Sequence, residues 1–184
     1  ASLGHFFHSA TDTEVILHLY EEFGLDCVRQ LRGMFAFALW DKREQRLLLA
    51  RDRVGQKPLF YAPTNEKVLF ASEIKAIRRK PDIVREVDEE SIHHFLTYGY
   101  IPSPRSIFQG ISKLPPAHML VWQNGQIKIK GYWDVNYREK LILPNQQAYE
   151  ERFLEIFKEA VRIRLRSDVP LGALLSGGID SAVI

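Results

Sequence analysis

The sequence holds a single cysteine, Cys27, among its 184 residues. A lone thiol excludes an internal disulfide framework and fits a reducing compartment, so a cytoplasmic setting is expected. No apolar run is long enough to cross a bilayer. The first ten residues carry two histidines and no hydrophobic core of a secretory signal. Charge of one sign is scarce as well: 25 basic against 23 acidic residues leave a net charge of +2, interspersed along the chain. A nucleic-acid partner would need a basic stripe. The short run Ile77-Arg78-Arg79-Lys80 reads instead as a solvated helix end. Neither nucleic acid nor a membrane is therefore an expected partner. Repeats and low-complexity tracts are absent. Position 1 is alanine rather than methionine, and the last residues stop inside an apolar run, so both ends read as cut.

What remains is ordinary globular composition, 46% hydrophobic and 26% charged, enough for one core and part of a second. Thr11-Asp12-Thr13-Glu14 has the spacing of a capping box. Val15, Leu19 and Phe23 then continue one helical face as far as Gly24. From Gly33 the period changes. Short apolar runs at Met34–Trp40, Leu47–Ala50, Leu59–Ala62 and Val68–Ala71, each bounded by polar turns, predict a strand meander. Their continuity predicts burial on both faces, hence a sheet covered on each side by helices or a second sheet. A helix is expected from Asp88 to Tyr98, with Asp88 as cap and Ile92, Phe95 and Leu96 on its apolar side. Strands at 117–123 and 126–132 are joined by Asn124-Gly125, a two-residue hairpin signal. The first domain is placed at 1–133, a polar linker at 134–146 and a second domain from 147. That domain starts with a long helix to about Arg166, followed by a short strand at Leu171–Leu175, a turn and another helix.

The turn Ser176-Gly177-Gly178-Ile179-Asp180-Ser181 carries the clearest chemistry. Gly177 and Gly178 allow the backbone a sharp turn and a close approach to oxygen atoms. Their amides, with a helix N-terminus behind them, favour an anion. Ser176 and Ser181 add hydroxyl donors. Asp180 would repel phosphate directly, so its sensible role is to hold a Mg²⁺ ion that bridges to phosphate oxygens. The Gly-Lys-Ser/Thr of the Walker loop is lacking, which argues against γ-phosphoryl transfer. The hexapeptide resembles the SGGxDS signature of the ATP pyrophosphatases, a signature that GMP synthetases and tRNA-thiolating enzymes share.

Upstream stretches narrow the choice. Thr11–Leu17, Arg32–Ala38, Ala50–Tyr61 (ARDRVGQKPLFY), Ala71–Ile77 (ASEIKAI) and Leu114–His118 (LPPAH) resemble the glutamine-hydrolysing asparagine synthetase family and occur in its order. The resemblance covers essentially the whole chain. It implies an α+β N-terminal-nucleophile αββα sandwich, a class II glutamine amidotransferase truncated at its start. The first elements of an α/β ATP-pyrophosphatase domain would follow. By the same resemblance, glutamine hydrolysis supplies ammonia, ATP activates aspartate as β-aspartyl-AMP, and asparagine, AMP and pyrophosphate leave. Glutamine, aspartate and ATP are the implied substrates, Mg²⁺ the implied cofactor, and a homodimer is compatible with it. Asp12 matches the aspartate that pairs with the α-ammonium of glutamine. Leu174 matches a leucine beside the adenine, and Ser176, Gly177, Gly178, Asp180 and Ser181 match the ATP loop.

The departures are as specific. The family's nucleophile is an N-terminal cysteine whose own α-amine is the base, whereas residue 1 here is Ala. Cys27 has no free α-amine beside it and reads as core. No catalytic residue is therefore assigned in this chain, which is expected to be inactive alone. Arg51, Asp52, Arg53 and Lys57 read as a salt-bridge cluster. His93, His94 and His118 lack metal-ligand spacing. A paralogous ligase that amidates another carboxylate, or a non-catalytic nucleotide-binding remnant, would share the residues seen here.

Overall fold

A computed structural model describes the chain except residues 1–3, 65, 66, 82 and 84. It divides into two units, 1–135 and 136–184.

The first unit contains two antiparallel sheets. Sheet A has the order β1-β2-β6-β7, from Ala36–Asp41 (β1), Arg46–Arg51 (β2), His118–Gln123 (β6) and Gln126–Gly131 (β7). Sheet B has the order β4-β3-β5, from Val68–Ala71 (β4), Phe60–Pro63 (β3) and Ser112–Lys113 (β5). The expected meander therefore splits after β2. Leu48 pairs with Leu39 on one side and with Val121 on the other, while β3 pairs with β4 and β5 in the second sheet.

Three apolar clusters explain why the strand sequences run continuously apolar. Successive side chains point to opposite faces, and each face here meets a different layer. Leu48 and Ala50 of β2 and Met119 of β6 face helices α1 (Asp12–Phe23) and α2 (Cys27–Gln30), where Cys27, Val28, Ile16 and Leu19 pack. Leu49 and Leu120, the alternate residues, meet Leu59, Tyr61 and Leu114 between the sheets. Ala62 of β3 faces Ile77 and Ile74 of α3 (Ile74–Ile77), together with Ile83 and Ile111. The layers are thus helix, sheet, sheet, helix, and the expected αββα sandwich is borne out. Cys27 lies in the first of these cores with no exposed surface. Asn124 and Gly125, at φ 51° and 75°, form the β6–β7 turn with both central residues left-handed, the geometry that matches strand twist.

Helix α4 (Glu89–Tyr98) starts after Asp88 as expected, but its buried side differs from the predicted one. Ile92, Phe95 and Leu96 are exposed, and Ser91 is fully buried. The reason is polar. Ser91 donates to the Asp88 carboxylate at 2.7 Å, and Arg105 donates to the same oxygen at 2.7 Å and pairs with Glu90. These bonds turn the Ser91 side inward.

In the second unit, the side chain of Asn145 accepts from the Ala148 amide at 2.9 Å and caps α5 (Gln146–Arg162). The helix ends four residues before the predicted Arg166. Arg164 and Leu165 donate to carbonyls three residues back, at 2.9 and 3.3 Å, which is the tightening common in a last turn. Leu171–Leu175 forms no strand. A strand exists by pairing, and the described residues of this unit offer no neighbouring strand. A second short helix, α6, spans Ile179–Val183.

Candidate functional site

The first turn of α1 is held from behind. Glu14 accepts from the His8 and Ser9 amides at 2.7 Å each and from the Ser9 hydroxyl. These bonds hold its carboxyl down to about 2 from its ordinary 4.5. The capping box predicted from Thr11 and Glu14 is therefore not made in its usual form. Thr11 occupies the cap position without a side-chain bond to the helix and lies 2.8 Å from Ser9 Oγ instead. Residues 8–11 curl over the helix start, so Glu14 reaches amides further upstream than the box would use.

This curl leaves Asp12 free. Its carboxylate has no hydrogen-bond or ion-pair partner among the described residues, and it lines a cavity of about 280 Å³. The remaining wall comes from Thr13 and Ile16 of α1, Met34–Phe37 at the start of β1, Lys57-Pro58 and Ser72. The volume lies just under the ~300–1,000 Å³ usual for drug-sized ligands. One acidic and one basic residue on a partly apolar wall suit a small zwitterion.

Two of these wall segments are fixed by Asp52, which is fully buried. Its carboxylate accepts from the amides of Gln56 and Lys57 at 2.9 Å each and of Phe35 and Val54 at 3.3 Å each. Its own amide donates back to Phe35 O at 2.9 Å. Arg51 works from the other side, donating to the carbonyls of Lys57, Leu114 and Gly55 at 2.7 Å each. The expected salt-bridge cluster is therefore corrected: Arg51 and Asp52 bind backbone, because the tight turn that starts at the buried Asp52 leaves amides and carbonyls without strand partners. Gly55 closes the loop at φ +69°, with an added Cβ only 2.9 Å from Pro116 Cγ. Sequence reasoning missed Lys57 as a wall residue and Asp52 as its organiser. The signal lay in the Arg-Asp pair followed by Gly55, a charge pair next to an obligatory turn.

Cys27 is no nucleophile. Burial pushes its thiol up to about 11, far from the thiolate that nucleophilic attack needs. Residue 1 is Ala and lies outside the described residues. A second, larger groove of about 870 Å³ runs past Arg29, Arg53 and Tyr132 and contains no predicted site residue.

In the second unit, the predicted ATP-loop residues lie close together in the chain and are exposed apart from the half-buried Ser181. Ser176 Oγ lies 2.9 Å from Ser181 Oγ, Ser181 Oγ accepts from the Ser176 amide at 3.3 Å, and the same hydroxyl donates to Gly178 O at 3.0 Å. Gly177 is left-handed at φ +79°. Asp180 stands in the first turn of α6. Leu174 is 95% exposed. The hydroxyls, the left-handed glycine and the open aspartate fit a Mg²⁺–phosphate ligand in donor type.

A family profile described as glutamine amidotransferase domain matches residues 1–133, and one described as asparagine synthase matches residues 152–184. The chain is 42% identical over 182 residues to asparagine synthetase [glutamine-hydrolyzing] 3 of Bacillus subtilis, an overlap of 98% of this chain and 29% of that protein. It is 35% identical over 178 residues to a putative asparagine synthetase [glutamine-hydrolyzing] 2 of Methanocaldococcus jannaschii, covering 96% of this chain and 35% of that one. Among solved structures, the glutamine phosphoribosylpyrophosphate amidotransferase of B. subtilis aligns with a TM-score of 0.48 at 20% identity, covering 72% of this chain and 25% of that chain. The chain thus spans about a third of the length of the curated relatives it matches.

Proposed function

Because the chain belongs, over residues 1–133, to the glutamine amidotransferase domain family, we propose that the cavity at Asp12 binds glutamine in a glutamine-dependent asparagine synthetase. The observation that carries this reading is the unpartnered Asp12 carboxylate on the wall of a 280 Å³ cavity. Asp12 pairs with the α-ammonium, a carboxylate in a first helical turn being itself stabilised there. Lys57 attracts the α-carboxylate, and Asp52 keeps the Lys57 and Phe35 segments at the spacing that binding needs.

The proposed domain division is 1–133 for glutamine, a linker at 134–146 and the start of the ATP domain at 147–184. In the latter, Ser176, Gly177, Gly178 and Ser181 hold the phosphates, Asp180 holds Mg²⁺ and Leu174 lies against the adenine. Bound ATP supplies the activation of the aspartate carboxylate. The chain's own groups bind and orient it: Gly177 keeps the loop low enough for amides to approach, and the paired serine hydroxyls fix its width. A cytoplasmic setting, small-molecule partners alone and a homodimer complete the reading.

The test uses the full-length protein. Calorimetric titration with glutamine should show Asp12→Asn weakening binding by about 10- to 150-fold, the worth of a charged hydrogen bond. An unchanged affinity sinks the pocket assignment. With ATP, Mg²⁺, aspartate and glutamine, pyrophosphate and asparagine should appear in step. Pyrophosphate formed only with another carboxylate would reassign the acceptor.

A further inference from the structure

Two histidines and a glutamate meet outside the cavity. His18 and Glu21 sit three residues apart on α1, and His5 comes from the segment that precedes the helix. Their ligand atoms all lie within 4.8 Å of one another. We propose that His5, His18 and Glu21 form a site for a divalent cation of the zinc class, with solvent as the fourth ligand.

The spacing supports this first. Glu21 Oε2 is 3.0 Å from His18 Nδ1 and 3.6 Å from His5 Nδ1. Tetrahedral zinc with bonds of ~2.0–2.1 Å separates its ligand atoms by about 3.3–3.4 Å, so small side-chain shifts would seat an ion. The two rings lie 4.4 Å apart at a 35° tilt, and Phe7 packs edge-on against His18 at 4.8 Å. These contacts hold the rings in place.

The groups behind the rings support it next. His5 Nε2 bonds Glu22 Oε1 at 2.9 Å, and His18 Nε2 faces Glu14 Oε1 at 3.7 Å. Metal-bound histidines commonly turn their second nitrogen to a carboxylate in this way. Three glutamates around two imidazoles also make a site that attracts cations. The nitrogen donors select a zinc-like ion over calcium or magnesium, which prefer oxygen alone.

One atom sharpens the case. His18 Nε2 is buried without a hydrogen-bond partner. In a neutral ring that donates from Nδ1 to Glu21, Nε2 is a bare acceptor directed at a carboxylate, which is unfavourable. A cation on Nδ1 moves the proton to Nε2, where it points at Glu14. An imidazolium would also resolve the conflict, so a bound proton is the competing occupant. A metal would tie the segment around His5 to α1 and steady the curl that presents Asp12.

The chain, stripped with chelator, is titrated with Co²⁺ and then Zn²⁺. The expected result is one equivalent of Co²⁺ with the visible absorption of a tetrahedral site, displaced by one equivalent of Zn²⁺. His5→Gln and Glu21→Gln should abolish stoichiometric binding. Glu22→Gln should weaken Zn²⁺ by about 10–100-fold, and the His93→Ala/His94→Ala double variant should bind as wild type. Because the Glu21 side chain is 62% exposed, Glu21→Gln keeps the test decisive even if His18→Ala fails to fold. Lack of stoichiometric binding in a folded chain, with His5 and His18 titrating only with protons by NMR, would overturn the proposal. So would binding that survives both His5→Gln and Glu21→Gln.

Discussion

Replacing Asp52 by alanine removes the acceptor of four backbone amides, two at 2.9 Å and two at 3.3 Å, from a position with no exposed surface. A buried donor left unpaired costs about 1–3 kcal/mol. Counting the two short bonds fully and the two long ones lightly gives a loss of about 4 kcal/mol, within the ~3–5 kcal/mol typical when a buried charge network is broken. Trp40, Trp122 and Trp133 all lie in the first unit, so tryptophan fluorescence follows that unit without interference from the second. With a urea slope of about 2 kcal/mol/M, the midpoint should fall by about 2 M. Asp52→Asn, which keeps one acceptor oxygen, should fall between alanine and wild type. Asp26→Ala, which breaks only an exposed pair with Arg29, should shift the midpoint by no more than about 0.5 M. If Asp52→Ala matches that control, the amides of the 52–57 loop are satisfied by some other means and the organising role assigned to Asp52 is wrong.

Gly55→Ala adds a Cβ 2.9 Å from Pro116 Cγ and 3.1 Å from Arg51 Cζ at a left-handed φ; it should cost about 2–4 kcal/mol in the same denaturation, and a cost under about 0.5 kcal/mol would contradict the close packing of that loop. Cys27, buried with its thiol pushed up to about 11, should be inert to a thiol reagent at pH 8 in the folded chain and react at once in denaturant. Reaction at equal rates in both states would place it at the surface. The Glu14 carboxyl lies at about 2 in the folded chain against an ordinary 4.5, so its contribution is complete above pH 4.5 and is lost as pH falls toward 2. Proton exchange at the His8 and Ser9 amides should lose protection over that window, and Glu14→Gln should remove the dependence.

Strands β1–β4 were legible in the sequence because each apolar run is bounded by polar turn residues, whereas the two-residue β5 carries no such run and the run at Leu171–Leu175 forms no strand. Asn124-Gly125 fixed the β6–β7 turn for the same local reason. The allocation of strands between the two sheets was not legible, since nothing within β2 or β3 marks which partner each will take. That choice rests on residues far along the chain, such as Val121 opposite Leu48. The α4 face was misread because apolar periodicity outweighed one buried serine, Ser91, whose partner Asp88 is held in turn by Arg105, distant in sequence. Asp12 was singled out by the motif around it, and the structure places it on a cavity wall. Asp52 was not, because its four partners are backbone amides, which carry no side-chain signal.

Sheet A is completed by a pairing that spans most of the first unit: Leu48 of β2 waits for Val121 of β6. At synthesis rates of about 5–20 residues per second, the roughly 70 intervening residues take about 4–14 seconds to emerge. Throughout that interval the β1–β2 hairpin has a local partner on one edge only. The face carrying Leu47 and Leu49 gains Leu59 and Tyr61 of the second sheet early, but lacks Leu114 and Leu120 until the end of the interval. The layering that makes the mature domain dry on both sides of β2 therefore sets a temporal order for its birth. The early hairpin depends on α1 and α2, already made, to cover Leu48 and Ala50, and its other face is sealed last.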